Sequence, residues 1–183
     1  MRLSYLIKKD FLHFKKNLLS PSCWAIIINP SFHAVILFRF SSWLYNHKLK
    51  IIPKLIWFIN RIVYSVDIDY RATIGPGFNL VHGLGVVIGH EVVIGENVRI
   101  YQNVTIGGNN GKTTESKGRL ISQPIIEDNV IIGANSLILG PVNIKSNSII
   151  GVGAIVLEDV EQETIYYCKV NPVKRRKMSV VEL

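Results

Sequence analysis

The chain has 183 residues, enough for one sizeable domain and a small appendage. Its formal net charge of +8 sits unevenly: residues 1–66 carry ten Lys and Arg against a single acid, Asp10. No nucleic-acid motif accompanies those charges, so nucleic acid is not expected as a partner, and Cys23 and Cys168 stand too far apart for a metal or redox motif, which argues for a reduced, cytoplasmic setting.

The first elements in the chain read as helices. The opening MRLSYLIKKDF has too short an apolar run before Lys8-Lys9 for a signal peptide. Residues 1–20 form a basic amphipathic pattern, with Leu3, Leu6, Ile7, Phe11 and Phe14 roughly on one face. Pro21 and Pro30 punctuate the next stretch, and Pro30-Ser31 suits a helix start. Phe32 to Tyr45 (FHAVILFRFSSWLY) predicts a strongly apolar helix carrying Arg39. Lys48 to Val66 predicts another, interrupted early by Pro53, with Leu55, Ile56, Ile59 and Val63 available for packing. No stretch reaches about 18 uncharged apolar residues, so no membrane span is expected. Three uses of this basic, apolar segment stay open: packing on a neighbouring subunit, capping the end of the following domain, or lying peripherally on a membrane.

From Asp67 the period changes. A small aliphatic returns every sixth residue, as Ile88, Ile94, Ile100 and Ile106, then as Ile126, Ile132, Ile138, Ile144, Ile150 and Val156. Four residues after most of them stands another small residue: Val92, Val98 and Val104, then Val130, Ser136, Val142, Ser148, Ala154 and Val160. Neither the helical period nor the strand period sustains this spacing. A solenoid with three short flat faces per coil does, with the aliphatic pointing inward and the small residue at the corner. Gly75, Gly89, Gly95, Gly133 and Gly151 follow aliphatics, at places where close backbone approach or positive φ would help. The register slips by two residues between Leu80 and Ile88, around His82. It breaks again after Ile106, where a polar loop, 107–124, protrudes before the repeat resumes, the kind of excursion that carries function on a rigid scaffold. The predicted organisation is therefore a helical segment 1–66, a parallel β-solenoid 67–160 and a C-terminal extension 161–183.

His82 is the leading candidate for chemistry. Asp67 lies fifteen residues earlier, close to the eighteen of one coil, so its carboxylate and the imidazole can share neighbouring rungs. An aspartate holding one ring nitrogen while the other takes a proton is a general-base dyad. The pieces Val66-Asp67-Ile68, Ala72-Thr73-Ile74-Gly75, His82, Gly85-Val86-Val87-Ile88-Gly89, Gln102-Asn103-Val104-Thr105-Ile106-Gly107-Gly108 and Ile132-Gly133-Ala134 resemble the core of serine O-acetyltransferases and their relatives in the hexapeptide-repeat acyltransferase superfamily. The resemblance implies a mainly β fold, a left-handed parallel β-helix behind an N-terminal helical segment, assembled as a homotrimer with active sites between subunits. It also implies His82 as general base, Asp67 as its orienting partner, and acetyl-CoA as co-substrate without a metal. Gly108, Asn109, Ala134, Gly151, Val152 and Lys174 would bind the CoA arm, with Lys174 at its phosphates.

Two departures from that pattern bear on the acceptor. Serine-specific members carry an aspartate immediately before the histidine, where this chain has Val81, and an Arg-His pair before a loop proline, where it has Ser122-Gln123 before Pro124. A valine cannot pair with an ammonium, and neutral residues bind a carboxylate weakly. With Val81 and Gln123 as the acceptor-facing residues, the expectation is a sugar hydroxyl on a capsule, O-antigen or exopolysaccharide, or on a glycan or lipid-linked precursor at the inner face of the membrane. The alternatives are a serine O-acetyltransferase, a sugar N-acetyltransferase, a non-catalytic binding solenoid, and a zinc enzyme. The last needs three histidine ligands, and the solenoid offers only His82 and His90.

Overall fold

The computed structural model describes residues 1–17, 23–116 and 119–168. From Asp67 the chain winds into a parallel coil with three sheet faces. The first sheet stacks β1 (Asp67–Ile68), β4 (Val87–Ile88), β7 (Thr105–Gly107), β12 (Leu137–Leu139) and β15 (Ile155–Val156) in that order. The second stacks β2 (Thr73–Ile74), β5 (Val93–Ile94), β10 (Ile125–Ile126) and β13 (Asn143–Ile144). The third stacks β3 (Asn79–Leu80), β6 (Arg99–Ile100), β11 (Ile131–Ile132), β14 (Ile149–Ile150) and β16 (Ile165–Tyr166). In-register pairs such as Ile88 with Ile106 and Ile132 with Ile150 place one aliphatic directly over the next. These residues are buried as continuous columns. The hexad period thus follows from the coil: one inward side chain per face, and a small buried residue where the chain turns.

The glycines after the aliphatics serve close approach rather than positive φ. A Cβ on Gly75 would lie 2.6 Å from the Gly95 carbonyl oxygen, and one on Gly133 would lie 2.8 Å from the Val152 nitrogen. Positive φ falls instead on corner asparagines, including Asn97, Asn129 and Asn147 at φ 57, 58 and 62°. Their amides form a ladder along the coil, Asn97 to Asn129 at 3.4 Å and Asn129 to Asn147 at 3.2 Å. Asparagine tolerates this conformation because its short polar side chain bonds locally.

Two features of the coil differ from expectation. The polar loop contains an antiparallel hairpin, β8 (Thr114–Ser116) with β9 (Arg119–Ile121). The parallel ladder also runs past Val160, because β16 pairs with β14.

The helices are α1 (Leu3–Asn17), α2 (Cys23–Ile27), α3 (Pro30–Asn46) and α4 (Ile51–Tyr64). Asn29 caps α3 by accepting from the Ser31 N–H at 2.9 Å, with Pro30 at the first helical position. Pro53 lies in the first turn of α4, where a missing N–H breaks no intrahelical bond, so it opens the helix without interrupting it. Of the three uses left open for this segment, the structure shows the cap on the solenoid end. Arg39 of α3 and Asp10 of α1 form a buried ion pair at 2.8 Å. The Arg39 guanidinium donates onward to the carbonyls of Ile74 and Gly75, and Asp10 accepts from the Phe78 N–H at 2.9 Å. The pair therefore satisfies backbone groups that the first coil, with no coil beneath it, would leave open. His13 adds a hydrogen bond to the Gly77 carbonyl, and burial pushes its imidazole below the ordinary histidine value. α4 faces α3 through small and polar groups: Ser41 donates to the Pro53 carbonyl and Asn60 to that of Ala34. Leu55, Ile59 and Val63, expected to pack, are exposed in the single chain, as are Phe58 and Ile62.

Candidate active site

The two-residue slip in the hexads is a physical bulge. Ile68 pairs with Ile88, twenty residues on, whereas Ile88 pairs with Ile106 after eighteen. The extra residues lie in the corner between β3 and β4, which pushes His82 out of the coil and into solvent. That corner is pinned from below: the Gly83 N–H donates to Ser31 Oγ at 3.0 Å and the Gly85 N–H to the Ser65 carbonyl at 2.9 Å. His82 and Val81 line a cavity of about 640 Å³ together with Ala25, Ser31, Tyr64 and Val66. Among the described residues no Asp, Glu, Lys or Arg lines it. The His82 ring has no hydrogen-bond partner among the described residues.

Asp67 opens β1 with its side chain facing outward. Trp57 Nε1 donates to its Oδ1 at 2.8 Å, and Arg61 Nη1 lies 3.6 Å from Oδ2. Within one chain Asp67 and His82 share no hydrogen bond, so the structure places the two residues on the same coil without joining their side chains. Sequence reading missed Trp57 and Arg61. The available signal was their one-turn spacing in a helix that ends three residues before Asp67.

The remaining candidates divide between two corners that flank the first sheet. Gly108 and Asn109 follow β7, beside Gln123 and Gly140: a Cβ on Gly108 would lie 3.0 Å from Gln123 Nε2, and one on Gly140 3.2 Å from Asn109 Cβ. Gln123 Oε1 is buried without a partner, against Gly89 of the coil below. At the other corner the Gly153 N–H donates to the Ala134 carbonyl at 2.8 Å, which sets Ala134 beside Gly151 and Val152 on the next coil. Val152 is 74% exposed, and a Cβ on Gly151 would meet Tyr167 at 3.0 Å. Lys174 lies outside the described residues. Among the described residues no cluster of three or more His, Cys, Asp or Glu gathers.

A three-faced coil with a histidine-bearing bulge and a hairpin excursion defines a hexapeptide-repeat protein. The chain is 36% identical over 138 residues to a serine acetyltransferase of Synechococcus elongatus, covering 75% of this chain and 54% of that one. It is 32% identical over 135 residues to the serine acetyltransferase of Helicobacter pylori, covering 74% of this chain and 75% of that one. The solved structure of serine acetyltransferase isoform 3 from Entamoeba histolytica, in complex with cysteine, superposes with a TM-score of 0.84 at 29% identity, over 97% of this chain and 62% of that one. No family model matches the chain. The chain belongs to the serine acetyltransferase family of hexapeptide-repeat proteins. It spans little more than half the length of the Synechococcus relative.

These relatives overturn the sugar-hydroxyl reading, with its capsule, polysaccharide and glycan acceptors, because the similarity that carries the whole coil runs to proteins named for serine. The physical error was to let two side chains stand for the acceptor site. Gln123, given the part of a sugar-reading amide, holds a buried, unpartnered oxygen beside Gly89.

Proposed function

We propose that the chain is a serine O-acetyltransferase, moving the acetyl group of acetyl-CoA to the serine hydroxyl as a step toward cysteine. The observation that carries this is the similarity to the Helicobacter pylori enzyme across three quarters of both chains. In this reading the coil is left-handed, the helical segment 1–66 caps it, and three chains assemble with sites between them.

The exposed imidazole of His82 takes the hydroxyl proton as the serine oxygen attacks the thioester carbonyl. The tetrahedral intermediate carries an oxyanion, which backbone N–H groups near Gly107-Gly108 stabilise. Collapse expels the CoA thiolate, and His82 returns the proton to it. Asp67 holds the ring and stabilises the imidazolium formed in between. Gly108, Asn109, Ala134, Gly151 and Val152 border the CoA arm, and Lys174 meets its phosphates. Among the described residues, those beside His82 in its cavity, Val81 included, are no Asp, Glu, Lys or Arg, so partners for the ammonium and carboxylate of serine come from outside this lining.

The test is thiol release from acetyl-CoA with serine as sole acceptor, in wild type and His82→Ala. Serine-dependent release that falls by about 100-fold or more in the variant is expected. Wild-type protein that releases no thiol with serine refutes the acceptor, and undiminished release by the variant removes His82 from the mechanism.

A further inference from the structure

We propose that Trp57 is a positioning residue for the general-base dyad, holding the Asp67 carboxylate in place for His82. The inference rests on the His82–Asp67 reading above. It starts from two unfilled valences. The His82 ring has no hydrogen-bond partner among the described residues, and Asp67 Oδ2 has an ion-pair neighbour, Arg61 at 3.6 Å, but no hydrogen bond. Asp67 Oδ1 is by contrast taken, by Trp57 Nε1 at 2.8 Å.

The backbone of Asp67 is already fixed, since its N–H donates to the Val86 carbonyl at 2.9 Å in the first sheet. What remains free is the rotation of the carboxylate plane. An indole N–H only donates, so it binds the ionised carboxylate and cannot turn to accept from a protonated one. By holding Oδ1 it leaves Oδ2 as the oxygen available to an imidazole N–H. Trp57 is itself braced, half-buried on α4 with the Arg61 guanidinium 5.8 Å from its ring centre, one helical turn on. α4 ends at Tyr64, and Ser65 in the left-handed conformation (φ 55°) turns the chain into β1. The helix that supplies the donor thus leads directly into the strand that supplies the acceptor. Arg61 is more than half exposed, at 57%, and lies beyond hydrogen-bonding distance, so it yields Oδ2 to a better-placed donor.

A purely structural Trp57, tying α4 to the coil, would leave the dyad unaffected. A cycle of Trp57→Phe, Asp67→Asn and the double variant separates the two, with kcat and KM for serine and acetyl-CoA measured beside thermal midpoints. Trp57→Phe keeps the ring and loses the donor. It is expected to lower kcat by about tenfold with KM for acetyl-CoA unchanged. Asp67→Asn also lowers kcat, and the double variant falls no further than Asp67→Asn alone. Trp57→Gln, which gives up the ring but keeps an N–H, retains more kcat than Trp57→Phe. Wild-type kcat in Trp57→Phe, additive losses in the double variant, or Trp57→Gln falling below Trp57→Phe each overturn the positioning role while the dyad stands. Wild-type kcat in Asp67→Asn, or no turnover by the wild-type protein, removes the dyad and this role with it.

Discussion

A methyl group at position 133 would meet a peptide bond of the next coil, 2.8 Å from the Val152 nitrogen and 2.9 Å from the Gly151 carbonyl carbon. Neither atom belongs to a side chain that can swing away, so the coils themselves must separate. Gly107 stands at the end of its own strand with nothing within 4 Å of the same methyl. Gly133→Ala is therefore expected to cost about 1–3 kcal/mol, and Gly107→Ala less than about 0.5 kcal/mol. Denaturant unfolding of the two variants measures this, and equal losses would show that the coils adjust to an added methyl. The glycine positions were legible in the sequence, because backbone crowding after an inward aliphatic recurs with the hexad. The asparagines that carry positive φ were not: an Asn at a corner reads as an ordinary polar residue until the coil stacks Asn97, Asn129 and Asn147 into a ladder.

At the scale of elements, the strands were readable and the contacts of the helices were not. An inward residue on every face forces the period of six, whereas a helix face declares only that it is apolar. Asp10 is the case in point. The single acid against ten basic residues in the first 66, it shows no role in the sequence, yet it is fully buried and binds Arg39 and the Phe78 N–H. Arg39 in turn reaches two carbonyls of the first coil, so the pair joins α1, α3 and the open end of the solenoid. Removing one partner of a buried pair leaves the other charge unsatisfied, and Asp10→Ala is expected to destabilise by about 3–5 kcal/mol. Limited proteolysis should then cut first within α1, whose buried residues are only Asp10 and Phe14. Resistance of α1 to cleavage in that variant would mean that apolar packing, not the ion pair, holds it on the coil. The same pair accounts for the cap: a first coil without a neighbour has open backbone groups, and buried backbone groups must be paired.

For the molecule as a whole, the two breaks in the repeat foretold where the coil would depart from regularity, and both proved to be real irregularities in the ladder. Two side chains were too little to read the acceptor from: Val81 lines the His82 cavity, and Gln123 sits beside Gly89 and Gly108 at the loop corner. The hairpin raises the matching question of what the second break does. Among the described residues its strands β8 and β9 pair only with each other, while the flanking coils close across it, Ile94 with Ile126, Ile100 with Ile132 and Ile106 with Ile138. The coil therefore does not depend on the hairpin for register, and loop-closure entropy changes only slowly with length. Replacing residues 113–120 by a short Gly-Ser turn is expected to shift the thermal midpoint by less than about 4 °C. Turnover should fall by about tenfold or more, because the excursion leaves the coil beside Gly108 and Asn109 and returns through Gln123, at the corner proposed to border CoA. A calorimetric scan and a thiol-release assay on the shortened protein decide between the two roles. A collapsed midpoint makes the hairpin part of the scaffold, and unchanged turnover with an unchanged midpoint removes it from the site.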